Sequence, residues 1–289
     1  MKIGFLGAGK VARAFGAYLQ IKGKDVVGYA SRSQTSAEDA ARLTGTQAFG
    51  RGEDLLDHVD ILFITTGDRA IEKASDLLAK SIQSASGKVV AHMSGAMTSD
   101  HLKSLSAKGA HVASLHPLQA FADQEEALKQ LPQTVFSIEG DAPATHMLAG
   151  LLSDTGNRHF SIAKDQKDAY HMTACMVSNY LVTLIDAGLE VFEDIGIERQ
   201  LGYAALYPLI AGTVENLRYL DTKDALTGPI ARGDDLTVKK HLQALKAPDI
   251  EALYRLLGKQ TVDIAAQKKI TPSQARALHA LLDDEEDQA

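Results

Sequence analysis

The chain has 289 residues, 45% of them hydrophobic and 23% charged, with a net charge of -7; this is the profile of a soluble globular protein of about two domains. An acidic chain without a Lys/Arg block lacks the clustered positive charge that a phosphate backbone requires, so nucleic acid is excluded as an expected partner. A single cysteine, Cys175, leaves no disulfide framework or CxxC zinc site, and none of the ten histidines stands in an HExxH pattern, so no metal is expected.

The N-terminus enters a strand-like segment at once, without the apolar stretch of a signal peptide. No window of about 18 residues is wholly apolar. The expectation is a cytoplasmic protein with no membrane partner. Apolar runs predict strands at Lys2–Leu6, Asp25–Tyr29, Asp60–Thr65, Lys88–Ala91, His111–Leu115 and Thr134–Ile138. Helical periodicity predicts intervening helices at Val11–Leu19, Ala37–Leu43, Ala70–Lys80, Ser99–Lys108 and Pro143–Thr155. Continuously apolar strands alternating with helices indicate a doubly wound parallel α/β sheet. From about Asp165 the pattern is helical throughout, at Lys167–Ile195, Gly202–Leu220, Thr237–Leu245, Asp249–Ala266 and Pro272–Leu282. This gives an α/β domain over 1–163 and an all-α domain over 164–289, ending in an acidic, frayed tail from Asp283.

Gly7-Ala8-Gly9-Lys10-Val11-Ala12 has the form GxGxxA between the first strand and first helix. Gly7 permits the tight turn, Gly9 lets the backbone approach a pyrophosphate, and Ala12 keeps helix and sheet close. The helix N-terminus then offers its unpaired N–H groups to the phosphates. The second strand runs out into Ser31, Arg32 and Ser33, with no carboxylate before Glu38 to hold a ribose 2′-OH. Arg32 suits a 2′-phosphate, with Ser31 and Ser33 donating to it, which favours NADP(H) over NAD; a solvent-exposed arginine in a loop is the plainer alternative. Thr65-Thr66-Gly67 closes a further strand on the nicotinamide side, and Asp68 reads as the cap of the helix that follows.

Two more strand ends carry polar groups. Ser94, in His92-Met93-Ser94-Gly95-Ala96, is placed to hydrogen-bond a substrate oxygen or to cap a turn; His116, before Pro117, is placed as a general acid or as a packed imidazole. The helix from Lys167 is apolar almost throughout and is expected to be buried. On a helical wheel Lys167, His171 and Ser178 fall within about 40° of one another, with Asn179 about 100° further round. This stripe is a candidate catalytic and substrate-binding face. Arg232 in the turn Leu226–Asp234 is suited either to a substrate carboxylate or to a neighbouring aspartate.

The segments HMSGA, SLHPLQAFAD, KDAYHMTACMVSN and LTGPIARGD resemble those of bacterial proteins that join a Rossmann-like domain to a domain of unknown function. The resemblance covers almost the whole chain. More distantly the chain is similar to the superfamily with a 6-phosphogluconate-dehydrogenase-like C-terminal domain, which includes ketopantoate reductases, pyrroline-5-carboxylate reductases, prephenate dehydrogenases and β-hydroxyacid dehydrogenases. That likeness implies that Lys167 corresponds to the β-hydroxyacid dehydrogenase lysine. His171 then stands where those enzymes have asparagine, and Ser94 stands where they have serine. His116-Pro117 resembles the prephenate dehydrogenase His-Pro pair. It also implies a homodimer formed through the helical domain. The expected activity is NADPH-dependent reduction of a small 2-oxo acid or related carbonyl. In this reading Lys167, His171 or His116 is the acid, Ser94 and Asn179 orient the oxygen, and Arg232 holds an anionic group. The alternatives are a pyrroline-5-carboxylate or prephenate type of oxidoreductase, or an NADP(H)-binding sensor without turnover.

Overall fold

The computed structural model describes residues 1–283. Eight strands form one sheet: β1 (Lys2–Leu6), β2 (Asp25–Ala30), β3 (Gln47–Phe49), β4 (Ile61–Ile64), β5 (Val89–His92), β6 (His111–Pro117), β7 (Phe136–Gly140) and β8 (His159–Ser161). Their spatial order is β3-β2-β1-β4-β5-β6-β7-β8. The fold class is therefore the expected one, an α/β sheet of Rossmann type followed by a largely helical region. One feature departs from a wholly parallel sheet: β7 runs antiparallel to β6, and β8 then pairs parallel with β7. β3 and β8, both at the sheet edges, have three residues each, too few for a periodic signal in the sequence.

The helices of the sheet region are α1 (Lys10–Ile21), α2 (Gln34–Thr44), α3 (Gly52–Asp57), α4 (Asp68–Ser81), α5 (Lys103–Ser106), α6 (Gln124–Gln130) and α7 (Ala142–Thr155). The expected helix at Ser99–Lys108 resolves into a 3-10 turn, Ser99–Leu102, followed by the single turn of α5. The remaining helices are α8 (Lys167–Asp194), α9 (Arg199–Asn216), α10 (Thr222–Ala225), α11 (Gly228–Ala231), α12 (Asp235–Ala244), α13 (Pro248–Ala266) and α14 (Pro272–Leu282). The acidic tail beyond Asp283 lies outside the described residues.

The chain separates into two compact units, Met1–Asn179 and Tyr180 onward, with the division inside α8. In the first unit each sheet face has its own core. Ile3, Phe5, Phe63, Ala91, Leu115 and Ile138 pack on one side with α1 and α7, and Leu62, Ile64, Val90 and Val112 pack on the other. On the first face Phe5, Phe15, Tyr29, Phe63 and Phe136 form a continuous set of stacked and edge-to-face rings at 5.2–6.3 Å, each pair adding about 0.5–1.5 kcal/mol beyond burial. On the second face the apolar rows end in polar side chains. Alternation puts His92 beyond Val90, and Ser114 and His116 beyond Val112. In the second unit Val238, Val262, Ala265, Leu278 and Leu282 form a separate buried cluster.

α8 departs from expectation. The sequence predicts a buried apolar helix, yet Met172, Met176, Val177, Tyr180, Val182 and Leu184 are all exposed. The stretch Lys164–Asp194 has a mean hydropathy of 1.3 over its best window, of which 6% is buried. By length and composition alone it could cross a membrane, although charged and polar residues interrupt its apolar run.

Candidate active site

The strand order reverses at β1 and β4, and the loops leaving these two strands touch. Gly7 has φ +116°, and a Cβ there would stand 2.8 Å from the Thr65 carbonyl carbon. Only glycine meets both conditions. The Thr65 hydroxyl donates to the Gly7 carbonyl at 3.1 Å, so this predicted cofactor residue first shapes the turn. By contrast, nothing lies within 4 Å of a Cβ on Gly9 or Gly67. No side chain caps α1 or α4, whose N-cap positions are those two glycines. The first-turn N–H groups of α1 are thus left to a ligand, whereas in α4 the Ala70 N–H already donates to the Gly67 carbonyl at 2.8 Å. Asp68 is not the expected cap. It is the first residue of α4 and makes no capping bond, because the helix begins two residues before the Ala70 that periodicity suggests and Gly67 takes the cap position.

The rest of the predicted cofactor set surrounds this opening. Ala8 is buried and Val11 half-buried, while Lys10 is exposed and donates to the Ala122 carbonyl, tying the loop after β6 to the glycine turn. Ser31 is half-buried and Arg32 exposed just past β2. Ser33 accepts from Ser36 N–H at 3.3 Å as the cap of α2, which leaves its hydroxyl hydrogen free to donate. The Thr66 hydroxyl oxygen is buried without a protein partner, an orphan that a bound group can satisfy. An open glycine, uncapped helix starts, an exposed arginine and an unpaired hydroxyl together fit a phosphorylated dinucleotide.

The chemical cluster lies at the ends of β5 and β6, against the first turns of α8. Lys167 is 1% exposed. Its ammonium donates to the Ser94 carbonyl at 3.2 Å and to the Ser114 hydroxyl at 2.5 Å. Burial lowers its pKa to about 8 against the opposing pull of Glu139 and Asp68. It is therefore mostly charged at neutral pH but able to give up its proton just above it. The Ser94 hydroxyl accepts from Ala96 and Met97 N–H at 3.2 Å; it does hold a turn, and it keeps its own proton to donate. His92 is fully buried beneath this turn. It accepts from Ser94 N–H through Nδ1 at 3.2 Å and faces the Thr98 carbonyl through Nε2 at 3.0 Å, which fixes a neutral tautomer.

His116 Nδ1 lies 2.7 Å from the Tyr170 hydroxyl. Burial raises the pKa of Tyr170, so the phenol stays protonated and donates to Nδ1, leaving the proton of His116 on Nε2. That Nε2 and His171 Nδ1 converge beside Gly95: a Cβ there would meet them at 2.8 and 2.9 Å. His171 Nδ1 is buried and unpaired, while its Nε2 approaches the Cys175 sulfur at 3.6 Å. Desolvation above all, helped by the charge of Lys167, lowers the pKa of His116 to about 4.

Lys167, His171, Ser94 and His116 are thus brought together. Ser178 and Asn179 are exposed further along α8. Seven residues separate Ser178 from His171, about two helical turns, so the stripe is real but its far end stands apart from the cluster. Arg232 follows α11 in the second unit, where its charge acts on Asp234. Sequence reasoning missed Ser114, Tyr170 and Glu139 as functional groups. Ser114 and Tyr170 sit inside quoted motifs, next to the histidines that drew attention first. Among the described residues no three His, Cys, Asp or Glu side chains converge to hold a metal.

The open turn and the polar cluster at the strand ends are carried by a Rossmann-type sheet with a helical C-terminal region. More particularly, the chain combines a Rossmann-like domain, matched over residues 1–117, with a domain of unknown function, DUF2520, matched over residues 134–261. Among curated proteins none matches it. Among solved structures it is similar to protein TM1727 of Thermotoga maritima, with 25% identity, 93% of this chain and 100% of that one covered, and a TM-score of 0.75. A protein of Bacteroides fragilis described as an NADP oxidoreductase gives 20% identity, 96% and 98% coverage and a TM-score of 0.68. The 1-pyrroline-5-carboxylate reductase of Streptococcus pyogenes gives 16%, 98% and 96%, and 0.59. The last two likenesses are of fold.

His92 and His116 both titrate near pH 4 in the folded chain, against an ordinary 6.5. The unfolded chain binds more protons in that window, so stability falls as pH drops from about 6.5 to 4. A melting curve followed against pH should show this loss, a few kcal/mol at its limit. His92→Gln should make the loss shallower.

Proposed function

We propose that the protein is an NADPH-dependent reductase of a small carboxylate-bearing carbonyl compound, a 2-oxo acid in the first instance. The observation that carries this reading is the convergence of His116, held neutral, and His171 beside Gly95, backed by a buried ammonium, at the same strand ends as an open dinucleotide cradle. The description of the B. fragilis protein as an NADP oxidoreductase and of the S. pyogenes protein as a reductase supports the class.

When bound, NADPH supplies a hydride. The chain's own part is to bind, orient and protonate. The first-turn N–H groups of α1 receive the pyrophosphate, and Arg32 with Ser31 and Ser33 receives the 2′-phosphate. His116 Nε2–H faces the substrate heteroatom as a neutral donor. As that proton leaves, Tyr170 can return one to Nδ1, and Lys167, whose Nζ lies 6.0 Å from the centre of the Tyr170 ring, favours the phenolate left behind. Ser94 offers its free hydroxyl hydrogen to the substrate, and the charge of Lys167 attracts an anionic group. A C=N substrate, as in the pyrroline-carboxylate alternative, enters already protonated and needs no acid.

The exposed apolar length of α8 supports a second copy of this chain as its cover, and so a homodimer. Its regularly spaced acidic residues past Asp186 fit a protein partner better than a lipid interior.

Three outcomes are expected. Arg32→Ala should weaken NADPH binding, read by nicotinamide fluorescence, roughly ten- to hundred-fold, with NADH almost unaffected; equal loss for both would overturn the 2′-phosphate assignment. On a panel of 2-oxo acids and cyclic imines, His116→Ala should lower turnover of the oxo acid roughly 10²–10⁴-fold with NADPH binding intact, and turnover of a cyclic imine far less. Tight NADPH binding without turnover on the whole panel would favour a sensor. Light scattering should give twice the chain mass in wild type and the monomer in a Val177→Glu, Val182→Glu variant; a wild-type monomer would overturn the homodimer.

A further inference from the structure

Glu139 is a buried carboxylate that this mechanism has not used. It is 2% exposed, and both of its oxygens are held by one residue: Ser99 donates its backbone N–H to Oε2 and its hydroxyl to Oε1, each at 2.7 Å. Among the described residues no cation stands in salt-bridge contact with it. A buried carboxylate of this kind is costly unless a positive charge compensates it.

The compensating charge lies across one strand. Because β7 runs antiparallel to β6, Glu139 pairs in register with Ser114, and the Ser114 hydroxyl is the group that accepts from the ammonium of Lys167. Lys167 has no carboxylate in direct contact either. One buried cation and one buried anion therefore face each other through a single serine; the further charges that act on them are at exposed residues, Lys164 on Glu139 and Asp68 on Lys167. The other titratable groups around this pair are Asp68 at the start of α4, His92 on β5, His116 on β6, Tyr170 and His171 one turn on along α8, and Lys164, which is paired with Asp100. His92, His116 and the tyrosine are neutral near pH 7, and Asp68 and Lys164 are exposed to solvent screening. Glu139 is the buried charge that remains.

We propose that Glu139 is a positioning residue that acts through Lys167, holding the lysine in its charged form at the Ser94 carbonyl and thereby setting the upper pH limit of the site. For the purpose of that charge the inference rests on the reductase reading; for the coupling itself it rests only on the buried network. Glu139→Gln keeps the shape and removes the charge: the Ser99 N–H can still donate to the amide oxygen while the Ser99 hydroxyl turns to accept from the amide NH2.

The titration of Lys167 can be followed directly by nuclear magnetic resonance of carbon-13-labelled lysine, its signal assigned by its loss in Lys167→Met. In the wild type the midpoint is expected near 8. In Glu139→Gln it should fall by about one pH unit or more, and the alkaline limb of kcat should fall with it. Asp68→Asn should move the midpoint much less. An unmoved midpoint in a folded Glu139→Gln protein would overturn the proposal. If Glu139→Gln does not fold, Glu139→Asp decides: drawing the carboxylate back should lower the Lys167 midpoint, and an unmoved midpoint would overturn the proposal equally. A shifted midpoint in a protein that reduces nothing on the panel would sustain the coupling and sink the reductase reading.

Discussion

The burial of one ammonium ion organises the site. Lys167 reaches the sheet from the first turn of α8 and delivers two of its protons to Ser94 and Ser114. A cation so placed forces its surroundings to adapt. His92 and His116 are held neutral, and the counter-charge must come from a strand rather than from solvent. Gly95 leaves His116 and His171 room to converge where any side chain would collide with both. The result is a cluster in which charge, neutral donors and empty space are assigned to different residues by burial.

The cofactor cradle obeys a different constraint, steric rather than electrostatic. The turn after β1 presses against Thr65 so closely that only a residue without Cβ fits. Two residues later the same backbone faces open space. Tight contact on the protein side and vacancy on the ligand side are what a dinucleotide needs at a point where strand order reverses. The two halves of the site share the ends of neighbouring strands, so their relative placement is fixed by the sheet.

Much of this was legible in the sequence, and the failures have physical causes. The glycine turn and the apolar strands announce the sheet because burial on both faces leaves a continuous signal. The direction of β7 leaves no such signal: Phe136-Ser137-Ile138-Glu139-Gly140 reads the same whichever way it pairs. Glu139 was therefore invisible as a partner for anything on β6. Helical periodicity placed Ser178 at the right azimuth but says nothing of distance along the axis, so it grouped residues two turns apart. The apolar surface of α8 was likewise evident, but hydropathy cannot name what covers it.

The antiparallel arrival of β7 carries a further consequence. Side chains alternate between sheet faces, so a slip of one residue would send Glu139 to the opposite face. What prevents the slip lies just downstream. Gly140 has φ +151°, and a Cβ on it would stand 2.4 Å from the Val112 carbonyl oxygen. Asp141 accepts from Val112 N–H at 2.8 Å and from Ala144 N–H at 3.0 Å. These two residues act as a latch, and neither touches the cluster. Substitutions at this latch would therefore be felt at a distance, as altered charge at the strand ends, before they were felt as loss of the fold.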